Sequence, residues 1–224
     1  MNRQGPGKIE WTDYTWSPVT GCLRGCSYCY ANRIAQRIYP EKFKPTFRKE
    51  RLKDKDLGKV PDGSKIFVCD MGELFGDWVP TDWIESVLDV TKEYPQYIFQ
   101  FLTKNPHRYE FWAGLFGDNC WLGATEDCSS IKQENRAIMQ GLRFNGIKFL
   151  SCEPLLGELV GPIDNIDWII IGEQTKRRYT PEEWEIVRKN ADRLLHRAHM
   201  NKVARFVKNN LSKHFQIQEW PKTC

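Results

Sequence analysis

Gly21-Cys22-Leu23-Arg24-Gly25-Cys26-Ser27-Tyr28-Cys29-Tyr30 gathers three of the chain's eight cysteines into C-x3-C-x2-C spacing. The segment follows a strand candidate at residues 16–20 and precedes Ile34, Ala35 and Ile38, which are spaced as one stripe of a helix. Closely spaced thiolates on a flexible loop suit a cubane iron–sulfur cluster, whose corner the backbone must wrap, and Gly21 and Gly25 ease that wrapping. Three ligands leave one iron without a protein donor, and an open position of that kind distinguishes a reactive site from a closed structural one. Zinc is the alternative, with Cys69, a histidine or an acid as fourth ligand, although zinc sites usually show paired C-x2-C or Cys/His groups.

Outward from the loop, apolar runs rich in β-branched and aromatic residues recur at 65–70, 97–103, 120–125, 147–152, 167–171 and 204–208. Ile98-Phe99-Gln100-Phe101-Leu102 and Trp168-Ile169-Ile170-Ile171 are nearly continuous in hydrophobicity, as strands buried on both faces are. Helical patterns lie between. Residues 81–93 put Trp83, Ile84, Val87 and Leu88 on one stripe. Thr180-Pro181-Glu182-Glu183 is a capping box with proline at the first helical position, opening a helix that buries Trp184, Val187, Ala191, Leu194 and Ala198, and Ser130 with Gln133 is a similar start. Six or seven strand–helix units are too few for a complete eight-unit barrel, which needs about 250 residues. The expected class is therefore α/β, a partial (βα)6-type open TIM barrel, with chemistry at the C-terminal ends of the strands. Residues 1–224 are read as a single domain, with a core over 8–210, a polar insertion over 43–63 and a basic C-terminal segment.

A net charge of +4 conceals an uneven distribution. Residues 175–224 carry 12 Lys and Arg against 5 acids, and residues 33–59 carry 10 against 4. Such stretches are either solvated surface or a contact for an anionic partner such as nucleic acid. The start lacks the apolar core of a secretory signal and no run is long enough to span a bilayer, so the reading is a cytoplasmic protein with no membrane partner. Eight cysteines without an export signal point to metal or redox chemistry rather than disulfides.

The cysteine segment, with Tyr28 immediately before the third cysteine, resembles the motif of the radical S-adenosylmethionine (SAM) superfamily. More narrowly, Lys8-Ile9-Glu10-Trp11-Thr12-Asp13 and Thr15-Trp16-Ser17-Pro18-Val19-Thr20-Gly21-Cys22 look like the phage-associated three-cysteine-motif family, whose substrate is undefined. Phe101-Leu102-Thr103-Lys104-Asn105-Pro106, Leu150-Ser151-Cys152-Glu153-Pro154-Leu155 and the run from Ile166 to Glu173 are similar to that family too. The resemblance implies a radical SAM-like fold and a 4Fe-4S cluster on Cys22, Cys26 and Cys29. S-adenosyl-L-methionine would chelate the open iron through its amino and carboxylate groups. One electron, from a donor such as flavodoxin or ferredoxin, would break the sulfur to C5′ bond, and the 5′-deoxyadenosyl radical would abstract hydrogen from a substrate. It also implies a bacterial or phage-infected cell as the setting.

By resemblance, Tyr28 packs beside the adenine. Met71-Gly72-Glu73 is similar to the Gly-Gly-Glu element that meets the SAM amino group, with Met71 departing from it, which makes Gly72 and Glu73 candidates. Lys104, Thr125 and Ser151 follow or close strands and are candidates for the ribose or the SAM carboxylate. Cys152 is a candidate thiyl hydrogen donor, against the commoner fate of a lone cysteine as a small buried hydrophobe. Trp11 and Trp16 are candidates to shield the cluster. The substrate favoured is a nucleic acid or nucleotide, since the basic end suits phosphates. A small metabolite or peptide, a zinc-binding nucleic-acid module, and a relic acting as an accessory protein are the alternatives.

Overall fold

The computed structural model describes residues 1–5, 7–53, 55–129, 133–175, 177–211 and 213–222. The chain forms two compact units, Met1–Trp121 and Leu122–Cys224, whose boundary falls inside one strand.

In the first unit, β1 (Asn2–Arg3) runs antiparallel to β2 (Tyr14–Trp16), which pairs in parallel with β5 (Lys65–Val68), itself parallel to β6 (Ile98–Thr103). The strand expected over 16–20 is broken. Pro18 has no N–H to give a ladder, and the Ser17 carbonyl accepts from the Arg51 guanidinium at 2.8 Å. Beyond the break, β3 (Val19–Thr20) leaves to pair antiparallel with β4 (Thr46–Phe47). The stretch expected as a polar insertion thus contains β4 and two short 3-10 turns, Lys49–Lys53 and Leu57–Lys59. It is tied down by Trp16 Nε1 donating to Arg51 O at 2.9 Å and Tyr97 Oη donating to Leu57 O at 2.7 Å, and Leu57 is buried.

Among the described residues, three α-helices complete the unit: α1 (Tyr30–Ile38), α2 (Thr81–Glu93) and α3 (His107–Trp112). Helix α2 buries Ile84, Val87 and Leu88 as expected, while Trp83 is half-buried and stacks on Phe47 at 5.1 Å. Helix α1 corrects the stripe read from sequence: it buries Ala31 and Ala35 and leaves Ile34 and Ile38 exposed. Trp11 and Trp16 are core residues, with Trp11 against Phe67 at 4.7 Å and Trp16 against Phe99 at 6.1 Å.

The second unit lays β7 (Cys120–Thr125, in this unit from Leu122 onward), β8 (Lys148–Cys152), β9 (Trp168–Ile171) and β10 (Ala204–Val207) side by side, every pair parallel. Every residue of β7, β8 and β9 is buried, which accounts for the unbroken apolar run of β9, while β8 buries Lys148 and Ser151 among its apolar residues. Helix α4 (Glu134–Gly141) follows β7, and α5 (Pro181–Met200) precedes β10. The Thr180–Glu183 capping box forms in both directions, at 3.2 and 2.9 Å. Of the α5 stripe, Val187, Ala191, Leu194 and Ala198 are buried, whereas Trp184 is half-buried and donates to His214 Nε2 at 3.2 Å. Ser130 lies outside the described residues. Its partner Gln133 is no third helical residue; it precedes α4 with φ +45° and uses its amide to hold Glu158 O at 2.6 Å and Val160 N at 2.8 Å.

Candidate active site

The cysteine loop leaves β3 and enters α1, and two glycines fix its start. Gly21 and Gly72 form an isolated parallel bridge, with Gly21 N donating to Met71 O at 2.9 Å and Glu73 N donating to Gly21 O at 3.1 Å. Gly21 has φ +86°, and a Cβ there would collide with the Lys44 carbonyl; at Gly72 a Cβ would lie 2.8 Å from Val19 O. Met71 takes part through its carbonyl, so the side chain that departs from the Gly-Gly-Glu pattern is compatible with this contact. The bridge seats the loop bearing Cys22 against the segment bearing Glu73.

All three thiols are partly exposed and free of disulfides. Cys29 is the N-cap of α1, its Sγ accepting from Asn32 N at 3.3 Å, and Cys22 Sγ accepts from Arg24 N at 3.4 Å. Burial pushes the Cys22 thiol up to about 11, the Arg24 N–H opposes this, and charge on Glu73, Cys26 and Cys29 adds to it. A bare Cys22 is therefore a thiol at neutral pH, and a bound cation is what draws off its proton. Among the described residues no three His, Cys, Asp or Glu side chains are already gathered around one point. The donor set nevertheless fits an iron–sulfur group: three adjacent, accessible soft ligands, two of them served by backbone N–H groups of the kind that tune such clusters. Cys69, the candidate fourth zinc ligand, is buried, and burial raises its thiol far above the ordinary range.

Beside this loop, Glu73 is only 6% exposed. Its carboxylate accepts from Thr103 Oγ1 at 2.7 Å, Phe75 N at 3.1 Å and Lys104 N at 2.9 Å, which offsets the cost of burying the charge. Lys104 Nζ donates to Tyr28 Oη at 2.9 Å and stands 5.0 Å from that ring's centroid, so the hydroxyl is its nearer contact. Gly72, Glu73, Lys104 and Tyr28 are thus brought together at the ends of β5 and β6, with the three cysteines.

Sequence reasoning missed Asp70 and Ser17. The Ser17 hydroxyl donates to the Asp70 carboxylate, Met71 N donates to Ser17 Oγ at 3.4 Å, and Tyr30 Oη donates to Asp70 O at 2.8 Å. Burial raises the Asp70 carboxyl above its ordinary value, against hydrogen bonds from Ser17 and Thr15. An acid two residues beyond the end of β5 was the available signal.

In the second unit, Thr125 and Ser151 are register partners at the ends of β7 and β8. Ser151 Oγ donates to Glu153 Oε2 at 3.2 Å, and Glu153 pairs with Lys208 at 2.7 Å. Lys208 was not singled out, because nothing in the sequence ties the end of β10 to Glu153. Cys152 is fully buried; the neighbouring Cys128 thiol, and then burial, push its own thiol well above the usual range.

The arrangement of strands and helices is similar to that of known structures. Spore photoproduct lyase with bound AdoMet and dinucleoside spore photoproduct is similar at TM-score 0.52 and 11% identity, over 81% of this chain and 61% of that one. The lyase complexed with dinucleoside spore photoproduct gives 0.54 at 11%, over 85% and 63%. The chain thus spans less than two thirds of the lyase chains it matches. The likeness shows the fold, α/β of the partial-barrel type expected from the sequence. Residues 6–216 match the family described as "Protein of unknown function (DUF5131)", and the chain belongs to that family. No curated protein matches it.

Proposed function

We propose that this chain is a radical SAM enzyme acting on a nucleic acid or nucleotide. One observation carries the reading: the Gly21–Gly72 bridge sets a three-thiol loop against Glu73, which holds the Lys104 backbone just after β6, and Lys104 reaches back to Tyr28. Cys22, Cys26 and Cys29 would hold a 4Fe-4S cluster. When bound, cluster and S-adenosylmethionine supply one-electron cleavage of the sulfonium and a hydrogen-abstracting 5′-deoxyadenosyl radical. The chain's own residues bind and orient. Glu73 retains acceptor capacity on Oε2 for an ammonium, Lys104 offers a cation for a carboxylate, and the Tyr28 ring offers a face for a purine. Thr125 and Ser151 are proposed for the ribose or the carboxylate.

The substrate class rests on the basic segments and on neighbours whose bound molecule is a dinucleoside. Residues 1–224 act as one functional domain in this reading, in the reducing cytoplasm of a bacterium or phage-infected host, where thiols persist. Among the described residues, no helix is long and apolar enough to cross a membrane.

Anaerobic reconstitution tests the cofactor: about four irons and four sulfides per chain are expected. Zinc without sulfide would replace this reading with a zinc-binding nucleic-acid module. Incubating the reduced protein with SAM and separate pools of DNA, RNA, nucleotides and metabolites then identifies the substrate as the pool that stimulates 5′-deoxyadenosine release.

A further inference from the structure

We propose that the exposed face of α1, with Leu23 of the cysteine loop, docks an acidic one-electron carrier protein. The inference rests on the reductive reading above, which requires an electron from outside the chain. Between Tyr14 and Pro40 the sequence has no Asp or Glu and three arginines, Arg24, Arg33 and Arg37, and all three are exposed. The next acid, Glu41, is paired with Arg48. Amid this positive surface, Leu23 is 60% exposed, Ile34 42% and Ile38 59%.

Ile34 and Ile38 are one turn apart on α1, and Arg33 and Arg37 form the adjoining row. Helix propensity does not need exposed isoleucine, and the buried residues of α1 are Ala31 and Ala35, so much of the apolar row is left uncovered by this unit. The arrangement is that of a protein interface, with an apolar centre and a charged rim that steers a partner of opposite sign. Nucleic acid is also anionic, but its contacts fall mainly on phosphates and do not call for exposed isoleucines.

Position gives the surface its purpose. Leu23 follows Cys22, and α1 is capped by Cys29 itself. At 1.5 Å per residue, the far end of this nine-residue helix is about 14 Å from Cys29. A carrier seated here gives up one electron to the group held by the three cysteines and leaves one-electron oxidised.

The test uses the reconstituted full chain and flavodoxin. Binding is measured by biolayer interferometry at low and high salt, for the wild type, Arg33→Glu/Arg37→Glu and Ile34→Ser/Ile38→Ser, with the milder Arg33→Gln/Arg37→Gln and circular dichroism as folding controls. In parallel, 5′-deoxyadenosine is measured with dithionite and with flavodoxin reduced by NADPH and its reductase. Wild-type binding should weaken with salt, and each severe variant should raise Kd by roughly tenfold or more. Flavodoxin-driven product should fall to match while dithionite-driven product stays within about twofold. Unchanged Kd in both severe variants overturns the proposal, as does an equal loss under both reductants with oligonucleotide affinity falling, which assigns the face to the substrate. If the wild type forms no product even with dithionite, the radical reading fails, and the binding measurements still decide the docking face.

Discussion

The ammonium of Lys104, at the end of β6, donates to the hydroxyl of Tyr28 at 2.9 Å, across 76 residues of sequence. Two residues singled out separately for the same cofactor thus meet, and the Glu73 carboxylate pins the Lys104 backbone between them. Replacing Lys104 by Met removes the charge and should weaken SAM binding by about tenfold or more, the scale of a charge-assisted hydrogen bond. Tyr28→Phe keeps the ring and should cost only a few-fold. Equilibrium dialysis with labelled SAM reads both, and equal affinity in Lys104→Met and wild type would remove Lys104 from the site.

Gly21 and Gly25, both at positive φ, make a graded pair. Gly21→Ala meets both a left-handed φ and the Lys44 carbonyl, so it should cost about 3 kcal/mol. Gly25→Ala has φ +69° but open space around the new Cβ, and should cost about 1 kcal/mol. Urea titration ranks them. A Gly21→Ala variant as stable as Gly25→Ala would show that the loop does not need this close approach.

Thr180 tests the helix start in the second unit. Thr180→Ala removes the acceptor for Glu183 N and should lower stability by about 1 kcal/mol, with Thr180→Ser restoring most of it. A thermal melt that leaves the alanine variant unmoved is the contrary result.

Asp70 predicts a pH signature. Its carboxyl is raised in the fold above the ordinary 3.8, so the folded chain holds this proton more tightly than the unfolded one. The contribution is present in full below 3.8 and is lost as pH climbs through the folded value. Stability of Asp70→Asn relative to wild type should therefore rise with pH across the acidic range and level off above it. A flat difference between pH 3 and 7 in denaturant titrations contradicts the assignment.

Strands and helices with one strong period were legible. Residues 120–125 and 81–93 were bounded correctly because the first is a short apolar run buried throughout and the second carries one apolar stripe at helical spacing. The 16–20 segment was not: Pro18 was a local sign of the break, but the contact that completes it, Arg51 reaching the Ser17 carbonyl, comes from 34 residues away. The α1 stripe failed because Ile34 and Ile38 obey helical spacing without being covered, and spacing cannot distinguish a face that packs inside from one left outside. At the site, the cysteines, Glu73 and Lys104 could be read from motif and strand ends. The Asp70–Ser17 and Glu153–Lys208 pairs depend on which strand ends become neighbours, which local sequence does not encode.

The account turns on whether Cys22, Cys26 and Cys29 hold a cluster that cleaves SAM. Protein reconstituted without oxygen and reduced with dithionite should release 5′-deoxyadenosine from SAM, measured by liquid chromatography and mass spectrometry, and Cys29→Ala should release none. A wild-type chain that carries its full iron and sulfide yet forms no 5′-deoxyadenosine, with or without nucleic acid, would contradict it.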